Sequence, residues 1–379
     1  MPSTHTPDLS IGVMSGRRGV AEFIALPERL FSSEADFVPP LHADVKSRID
    51  KKHPYFLHAD AENWLASRNG RVVGRISATV NHLHNEIHCE KTGFFGFFEC
   101  EDNQETADLL FNTAAAWLHQ RGMNRIRGPA SYSSNDEFGL FLGGDPGPPR
   151  FLMPWNPSYY VRLIENFGFT KVMDLHAWHM WTDDRSDLAR WTRISARIKE
   201  REGITLRQID MRRFKDEVDL IRDLYADAWS KNWGFVPMTT EEFDLMASQM
   251  KSVLIPSWVI FVEKNGVAVG FGLALPDLNQ IIKNLKGKLF PFGWLKLLLG
   301  KNKCDFARVV TLGVRREFQG RGIDSILYDG LAKAVSGSGV DNSELGWVLE
   351  NNDTMNHALE RAGGRISRRY RVYERTLEG

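Results

Sequence analysis

The chain reads as an α/β protein of two tandem copies of one unit, each a mixed, mostly antiparallel sheet flanked by helices. Three observations predict this. Its 379 residues exceed one ordinary domain. Strand and helix periodicities run through a similar order twice. The hairpin turn Asn69-Gly70 in the first half has a counterpart, Asn265-Gly266, in the second. The alternative is two unrelated α/β domains.

In the first half (1–180), residues 11–14 make a strand, 20–30 a helix, and 61–66 with 71–80 a strand pair turned at Asn69-Gly70. The aromatic strand 93–98 follows, its rings expected in the core rather than around a ligand. A helix from Glu105 sets Leu110, Ala114, Trp117 and Leu118 on one face. Residues 124–128 form a strand, and the polar loop 128–139 after it is expected to face solvent. Asn156-Pro157-Ser158-Tyr159-Tyr160 opens a helix ending near Gly168, before a strand at 171–178.

A charged linker helix, roughly 185–202 within the boundary segment 181–203, leads to the second half (204–379). Strand 204–208 precedes a helix with Phe214, Val218, Ile221, Tyr225 and Ala228 on its buried side. Strands 257–263 and 267–275 turn at Asn265-Gly266. The β-branched strand 309–314 then runs through a glycine-bearing turn into a helix with Ile323, Ile326, Leu327, Leu331, Ala334 and Val335 on one face. Strand 344–350, the turn Asn351-Asn352-Asp353, a helix with Met355, Ala358, Leu359 and Ala362, and strand 369–373 close the chain.

Chemistry is most legible at the strand–turn–helix junction. Gly320 and Gly322 permit a tight turn and leave N–H groups exposed at a helix N-terminus, where an anion is favoured. Arg315, Arg316 and Arg321 add positive charge, so a pyrophosphate fits. Neither a Gly-x-Gly-x-x-Gly fingerprint nor a phosphate loop ending in Gly-Lys-Ser/Thr follows a strand here. The first half has no such junction, so only the C-terminal copy is expected to hold a pyrophosphate.

This segment resembles the acyl-CoA-binding motif of the GCN5-related N-acetyltransferase (GNAT) superfamily, Gln/Arg-x-x-Gly-x-Gly/Ala. Gln319-Gly320-Arg321-Gly322-Ile323-Asp324 matches at Gln319 and Gly322, with Asp324 where the family has Gly or Ala. The resemblance implies that the backbone of Leu312, Gly313 and Val314 orients the acyl donor. It places Arg316, Gln319, Gly320, Arg321, Gly322 and Ile323 around the pyrophosphate, and Asn352 at the family's recurrent Asn. The family's helix tyrosine, which often protonates the departing thiolate, falls on Leu359. Tyr370, Tyr373 or water is left for that role. Glu350, ending the strand beside the donor strand, is the expected general base; a surface strand-end carboxylate is the alternative.

Over nearly its whole length the chain resembles a bacterial group of tandem acyltransferase-fold proteins that includes the bacterial ceramide synthases. The likeness rests on Phe37-Val38-Pro39-Pro40-Leu41, Val73-Gly74-Arg75-Ile76, Gly96-Phe97-Phe98-Glu99, Gly128-Pro129, Asn156-Pro157-Ser158-Tyr159-Tyr160, Asn232-Trp233-Gly234-Phe235-Val236-Pro237, Leu275-Pro276-Asp277-Leu278-Asn279 and Glu350-Asn351-Asn352. It implies transfer of a fatty acyl group from acyl-CoA, a co-substrate, to the amine of a long-chain sphingoid base. No permanently bound cofactor is expected. The loop 229–237 covers the acceptor pocket in the superfamily, which makes Asn232, Trp233 and Phe235 candidates to line it. Tyr132 and Asn135 join them if the two halves face each other.

Composition narrows the partners. Forty-eight basic residues balance forty-eight acidic ones, which gives no general attraction to nucleic acid. Three scattered cysteines indicate neither a disulfide framework nor a Cys-x-x-Cys metal site. With no apolar run near membrane-span length and a polar 1–8 unlike a signal peptide, a cytoplasmic location is expected. His82, His84 and His88 lie close in sequence without a ligand pattern, so no metal is assigned. Gly-x-Ser-x-Gly is missing, which disfavours a serine nucleophile.

Residues 278–304 contain no acid but six lysines among Ile, Leu and Phe residues and Trp294, an interfacial composition. Two readings stand: peripheral contact of 281–303 with the anionic inner face of the cytoplasmic membrane, or an insertion packed on the domain with its lysines solvated. Two other functions remain as alternatives. One is a soluble N-acetyltransferase of a small amine; the other is a non-catalytic acyl-CoA-binding protein, for which Asp324 and Leu359 speak.

Overall fold

The structure, a computed structural model, describes residues 8–181 and 185–377. The polar start 1–7 and residues 182–184 of the boundary segment lie outside the described residues. Backbone contacts divide the chain into two compact units. The first takes residues up to 174, 282–289 and 370 onward; the second takes 175–281 and 290–369.

In the first unit, β1 (Leu9–Val13), β2 (Ala59–Arg68), β3 (Arg71–Asn81) and β4 (Thr92–Cys100) pair antiparallel in sequence order. Asn69 and Gly70 turn the β2–β3 hairpin with φ of 51° and 76°, the doubly positive geometry that Asn-Gly accommodates. β5 (Arg125–Gly128) joins β4 in parallel. The helix Gln104–His119 crosses between them and buries Leu110, Ala114 and Leu118, the predicted face. Its side chains sit close to the sheet because Gly93 lies beneath: a Cβ there would stand 2.3 Å from Leu118. Phe95, Phe98, Phe111 and Phe169 fill this core, with the Phe98 and Phe111 rings stacked 4.6 Å apart. β6 (Leu140–Gly144) and the helix Tyr159–Asn166 follow. β7 (Thr170–Trp181) contributes only its first five residues to this unit. The strand beside β5 is the end of the chain's last strand, in register from Tyr373↔Gly128 to Thr376↔Arg125.

The second unit repeats the plan. β8 (Ile204–Gln208), β9 (Val259–Lys264), β10 (Val267–Pro276) and β11 (Ala307–Val314) pair antiparallel, again with a doubly positive Asn265-Gly266 turn. β12 (Asn342–Leu349) joins β11 in parallel and then pairs with the Leu175–Trp181 portion of β7. β13 (Arg365–Thr376) gives Arg365–Arg369 to this unit and the remainder to the first. Ile323–Ser336 packs Ile326, Leu327 and Leu331 into the core. The linker helix, Arg185–Glu202, belongs here, its Thr192 hydroxyl donating to Asp329 at 2.8 Å.

Three expectations are corrected. The loop 128–139 does not face solvent: Ala130, Ser131, Tyr132, Ser133 and Phe138 are buried. On the helix Phe214–Trp229 Val218 is buried as expected, but Phe214, Ile221, Tyr225 and Ala228 are half-buried, and Leu224 and Glu217 are buried instead, the Glu217 carboxylate accepting from Arg207 at 2.9 Å. The 278–304 insertion does not lie wholly in the second unit: residues 282–289 belong to the first, where the Gly287 carbonyl accepts from the His42 N–H at 2.9 Å, and 290–304 belong to the second.

Candidate active site

Parallel pairing of β11 with β12 covers Ala307↔Ser343, Arg308↔Glu344 and Val309↔Leu345, then stops. Past Val309, β11 stays with β10 alone, through an irregularity at Leu273/Ala274. Val310, Thr311 and Leu312 are half-buried in a strand that begins and ends buried. A strand edge left in this way can accept another extended chain through its N–H and C=O groups.

Gly313 requires its missing side chain, since a Cβ would lie 2.3 Å from the Trp229 ring. That contact joins the candidate donor strand to the candidate acceptor loop. Trp229 ends its helix with its ring 4.8 Å from Tyr225 and 6.0 Å from Phe271. The loop then doubles back, Asn232 donating its N–H to the Trp229 carbonyl at 2.8 Å. Phe235 is buried against Tyr225 at 5.3 Å, whereas Asn232 and Trp233 stay half-buried.

Beyond β11 the turn is stapled at both ends. Gln319 donates to the Val314 carbonyl at 2.9 Å, and the Arg316 N–H reaches Asp227 at 2.8 Å. Gly320 and Gly322 have φ of 74° and 82°, which other residues adopt only with strain. Gly322 caps Ile323–Ser336 without a side chain, and a Cβ there would stand 2.8 Å from Ile198 of the linker helix. From the same helix Arg201 donates to the Arg321 carbonyl at 2.7 Å. The linker is thus a buttress of the loop, which its charged sequence did not announce.

The loop's cations are not idle. Arg315 pairs with Asp223, Arg316 with Asp227, and Arg321 lies 3.8 Å from Glu202. Exposed pairs of this kind are worth about 1 kcal/mol or less, so a phosphate can displace them. Asp324 turns onto the first N–H groups of its own helix, its own and that of Ser325. Burial pushes its carboxyl up, and those two hydrogen bonds oppose the rise.

Downstream, Glu350 sits half-buried in the turn after β12, and Asn352 caps Asp353–Arg361 by accepting from the Met355 N–H at 3.2 Å. Leu359 is a core residue, 1 % exposed. Tyr370 and Tyr373 lie in the first unit, where Tyr373 donates to Glu165 at 2.9 Å and burial pushes its hydroxyl up to about 12. Sequence reasoning passed over Glu344. This buried carboxylate stands in register with Arg308 on one side and His179 on the other, one step before β11 and β12 part, and accepts from the Ser367 hydroxyl at 3.2 Å. No local signal marked it, since Asn342 and Ser343 precede it in the same strand.

The equivalent opening in the first unit is filled by the chain itself. There β4 and β5 part after Phe94↔Arg127, and the loop 128–139 enters, with Ala130 donating to the Phe95 carbonyl at 2.7 Å. A Cβ on Gly96 would lie 1.8 Å from the Ala130 oxygen. Tyr132 is locked in place, its hydroxyl donating to Asn63 at 2.9 Å and its ring stacked on Tyr55, while Asn135 lies in the following turn. The first unit also holds a second carboxylate that sequence reasoning did not select. Glu99 accepts from Tyr160 at 2.8 Å and lies 3.4 Å from Arg75; burial pushes it up to about 7, because so long a contact does not offset desolvation.

No protein-family profile matches the chain. It is 36% identical over 386 residues to the bacterial ceramide synthase of Caulobacter vibrioides, spanning 100% of both chains. It is 35% identical over 361 residues to protein YghO of Escherichia coli, covering 94% of this chain and 92% of YghO. Among solved structures, a tandem GNAT protein from the clavulanic acid biosynthesis pathway superposes with a TM-score of 0.59 at 12% identity, covering 98% of this chain and 99% of that one. A GCN5-related N-acetyltransferase from Sphaerobacter thermophilus gives 0.54 at 14% identity, covering 98% and 96%. The two-unit fold with its diverging parallel strands is therefore the tandem GNAT fold, and the chain belongs to the family of tandem GNAT-fold proteins that includes the Caulobacter bacterial ceramide synthase.

Proposed function

We propose that this protein is an N-acyltransferase that moves a fatty acyl group from acyl-CoA to the primary amine of a long-chain sphingoid base, giving a ceramide-type amide. The observation that carries this reading is the full-length 36% identity to a bacterial ceramide synthase. The open β11 edge leading into the Gly320–Gly322 turn supports it.

In this reading the donor's pantetheine arm lies along Leu312, Gly313 and Val314. Arg316, Gln319, Gly320, Arg321, Gly322 and Ile323 surround its pyrophosphate, and Asn352 stands at the far side of the turn. Asn232, Trp233 and Phe235 border the acceptor. The neutral amine attacks the thioester carbonyl, the C–S bond breaks, and the amide forms. Glu350 takes the amine's proton, with Glu344 the second candidate. A thiolate is a tolerable leaving group near neutral pH and needs no general acid to depart. The departing thiolate therefore takes its proton from water, and Tyr373, tied to Glu165, is not required.

Purified protein incubated with sphinganine and acyl-CoAs of graded length, read by mass spectrometry, tests the proposal. Long-chain N-acyl sphinganine supports it. Acetyl transfer to small amines alone would replace it with the soluble acetyltransferase reading. Saturable CoA binding without product would favour a binding protein, the reading to which Asp324 lends weight.

A further inference from the structure

Large apolar side chains exposed singly are ordinary, but a contiguous group marks a contact surface. Val13, Leu57, Ile87, Leu152, Trp181 and Val267 are exposed at scattered positions. Phe290, Phe292, Trp294, Leu298 and Leu299 are different: they are 81%, 66%, 50%, 41% and 65% exposed within ten residues of one another. The helix Gly293–Gly300 buries only Gly293 and Leu297, so its outward faces are apolar as well. It is anchored rather than loose, because Lys301 donates to the carbonyls of Ser252 and Leu254 at 2.8 and 2.9 Å. Lys296 and Lys303 are exposed beside the apolar group. The run 278–304 holds no acid, and the nearest one following it, Asp305, accepts from Gln280 at 2.8 Å.

We infer that Phe290–Leu299 is a wedge that seats this protein on an anionic lipid surface, with Phe290, Phe292 and Trp294 entering the headgroup–acyl boundary and Lys296 and Lys303 meeting lipid phosphates. Short length suits lying in the interface, and no helix among the described residues is long and apolar enough to cross a membrane. The composition argues for a lipid rather than a protein partner. Aromatic and leucine side chains flanked only by cations match the boundary of an anionic bilayer. The wedge would place the enzyme where a long-chain amine resides, although the inference stands on the surface and not on the reaction.

Sedimentation with vesicles of phosphatidylglycerol and phosphatidylcholine, without acyl-CoA or amine, tests it on the full chain. The wild type is expected to pellet with mixed vesicles and to remain in solution with phosphatidylcholine alone. The triple variant Phe290→Ser/Phe292→Ser/Trp294→Ser should lose at least tenfold in partition. Lys296→Glu should lose several-fold, since each lysine near such a surface is worth about fivefold. Circular dichroism shows that a variant is folded, and activity in detergent micelles is expected to survive. Equal binding by wild type and triple variant would overturn the inference, as would a wild type that ignores vesicles and instead dimerises through this face in light scattering. Failure of acyl transfer with vesicle binding intact would count against the proposed reaction alone.

Discussion

Replacing Glu99 with Gln should flatten the pH dependence of the first unit's stability. Burial holds the Glu99 carboxyl at about 7 against an ordinary 4.5. The folded state then binds a proton that the unfolded chain has already released. The contribution is fully present below pH 4.5 and is lost as pH rises through about 7. The full difference corresponds to about 3 kcal/mol. Burial also lowers the neighbouring Arg75 guanidinium from its ordinary value, and the Glu99 charge opposes that fall. His84 slopes the other way: burial lowers it to about 4, so its contribution is present above its ordinary 6.5 and lost as pH falls. Comparing wild type with Glu99→Gln cancels that background. The assay is urea unfolding equilibrated at pH 5, 6, 7 and 8, read by pulse hydrogen exchange at one common pH on peptides from Thr92–Cys100. Between pH 5 and 8 wild type should lose roughly 2–3 kcal/mol more than the variant. Parallel pH profiles would show that the buried Glu99 carboxyl is not raised into this range.

Three further outcomes follow from the candidate site. Asp324→Asn removes a like charge from the turn proposed to hold the pyrophosphate and should tighten CoA binding in calorimetry by several-fold, equivalent to about 1 kcal/mol; unchanged or weaker binding would place the phosphate elsewhere. Gly313→Ala forces the Trp229 ring to move and should destabilise the second unit by about 1–3 kcal/mol while lowering turnover, with thermal denaturation and rate measured on the same preparation. Gly96→Ala sets a methyl against the Ala130 carbonyl, which is backbone and cannot give way, so soluble folded protein should be lost; wild-type solubility would show that the first unit's opening is not filled.

Much of this molecule was legible from local signals. Asn69-Gly70 and Asn265-Gly266 named two hairpins because their φ values demand such residues, and Gly320 and Gly322 named the turn for the same reason. What escaped depends on distant partners. Tyr370 and Tyr373 lie within the second half of the sequence yet belong to the first unit, and no local pattern records that exchange. The polar loop 128–139 looked solvent-facing because its Ser and Asn residues suit turns; it is buried because β4 and β5 part and leave room for it. Helix Thr240–Met250 was missed despite the reciprocal cap of Thr239 and Glu242, a signal the sequence did contain. Glu99 and Glu344 could not be distinguished from surface acids until their strands were assembled.

Acyl transfer at the β11 opening is tested by product mass spectrometry with sphinganine and a palmitoyl-CoA donor, comparing wild type with Gly320→Val/Gly322→Val and with Glu350→Ala, each confirmed folded by circular dichroism. Wild type should give N-palmitoyl sphinganine, the turn variant none, and Glu350→Ala far less than wild type. Product that persists undiminished in the folded turn variant would contradict acyl transfer there, because the donor would then not be held at the opening of β11.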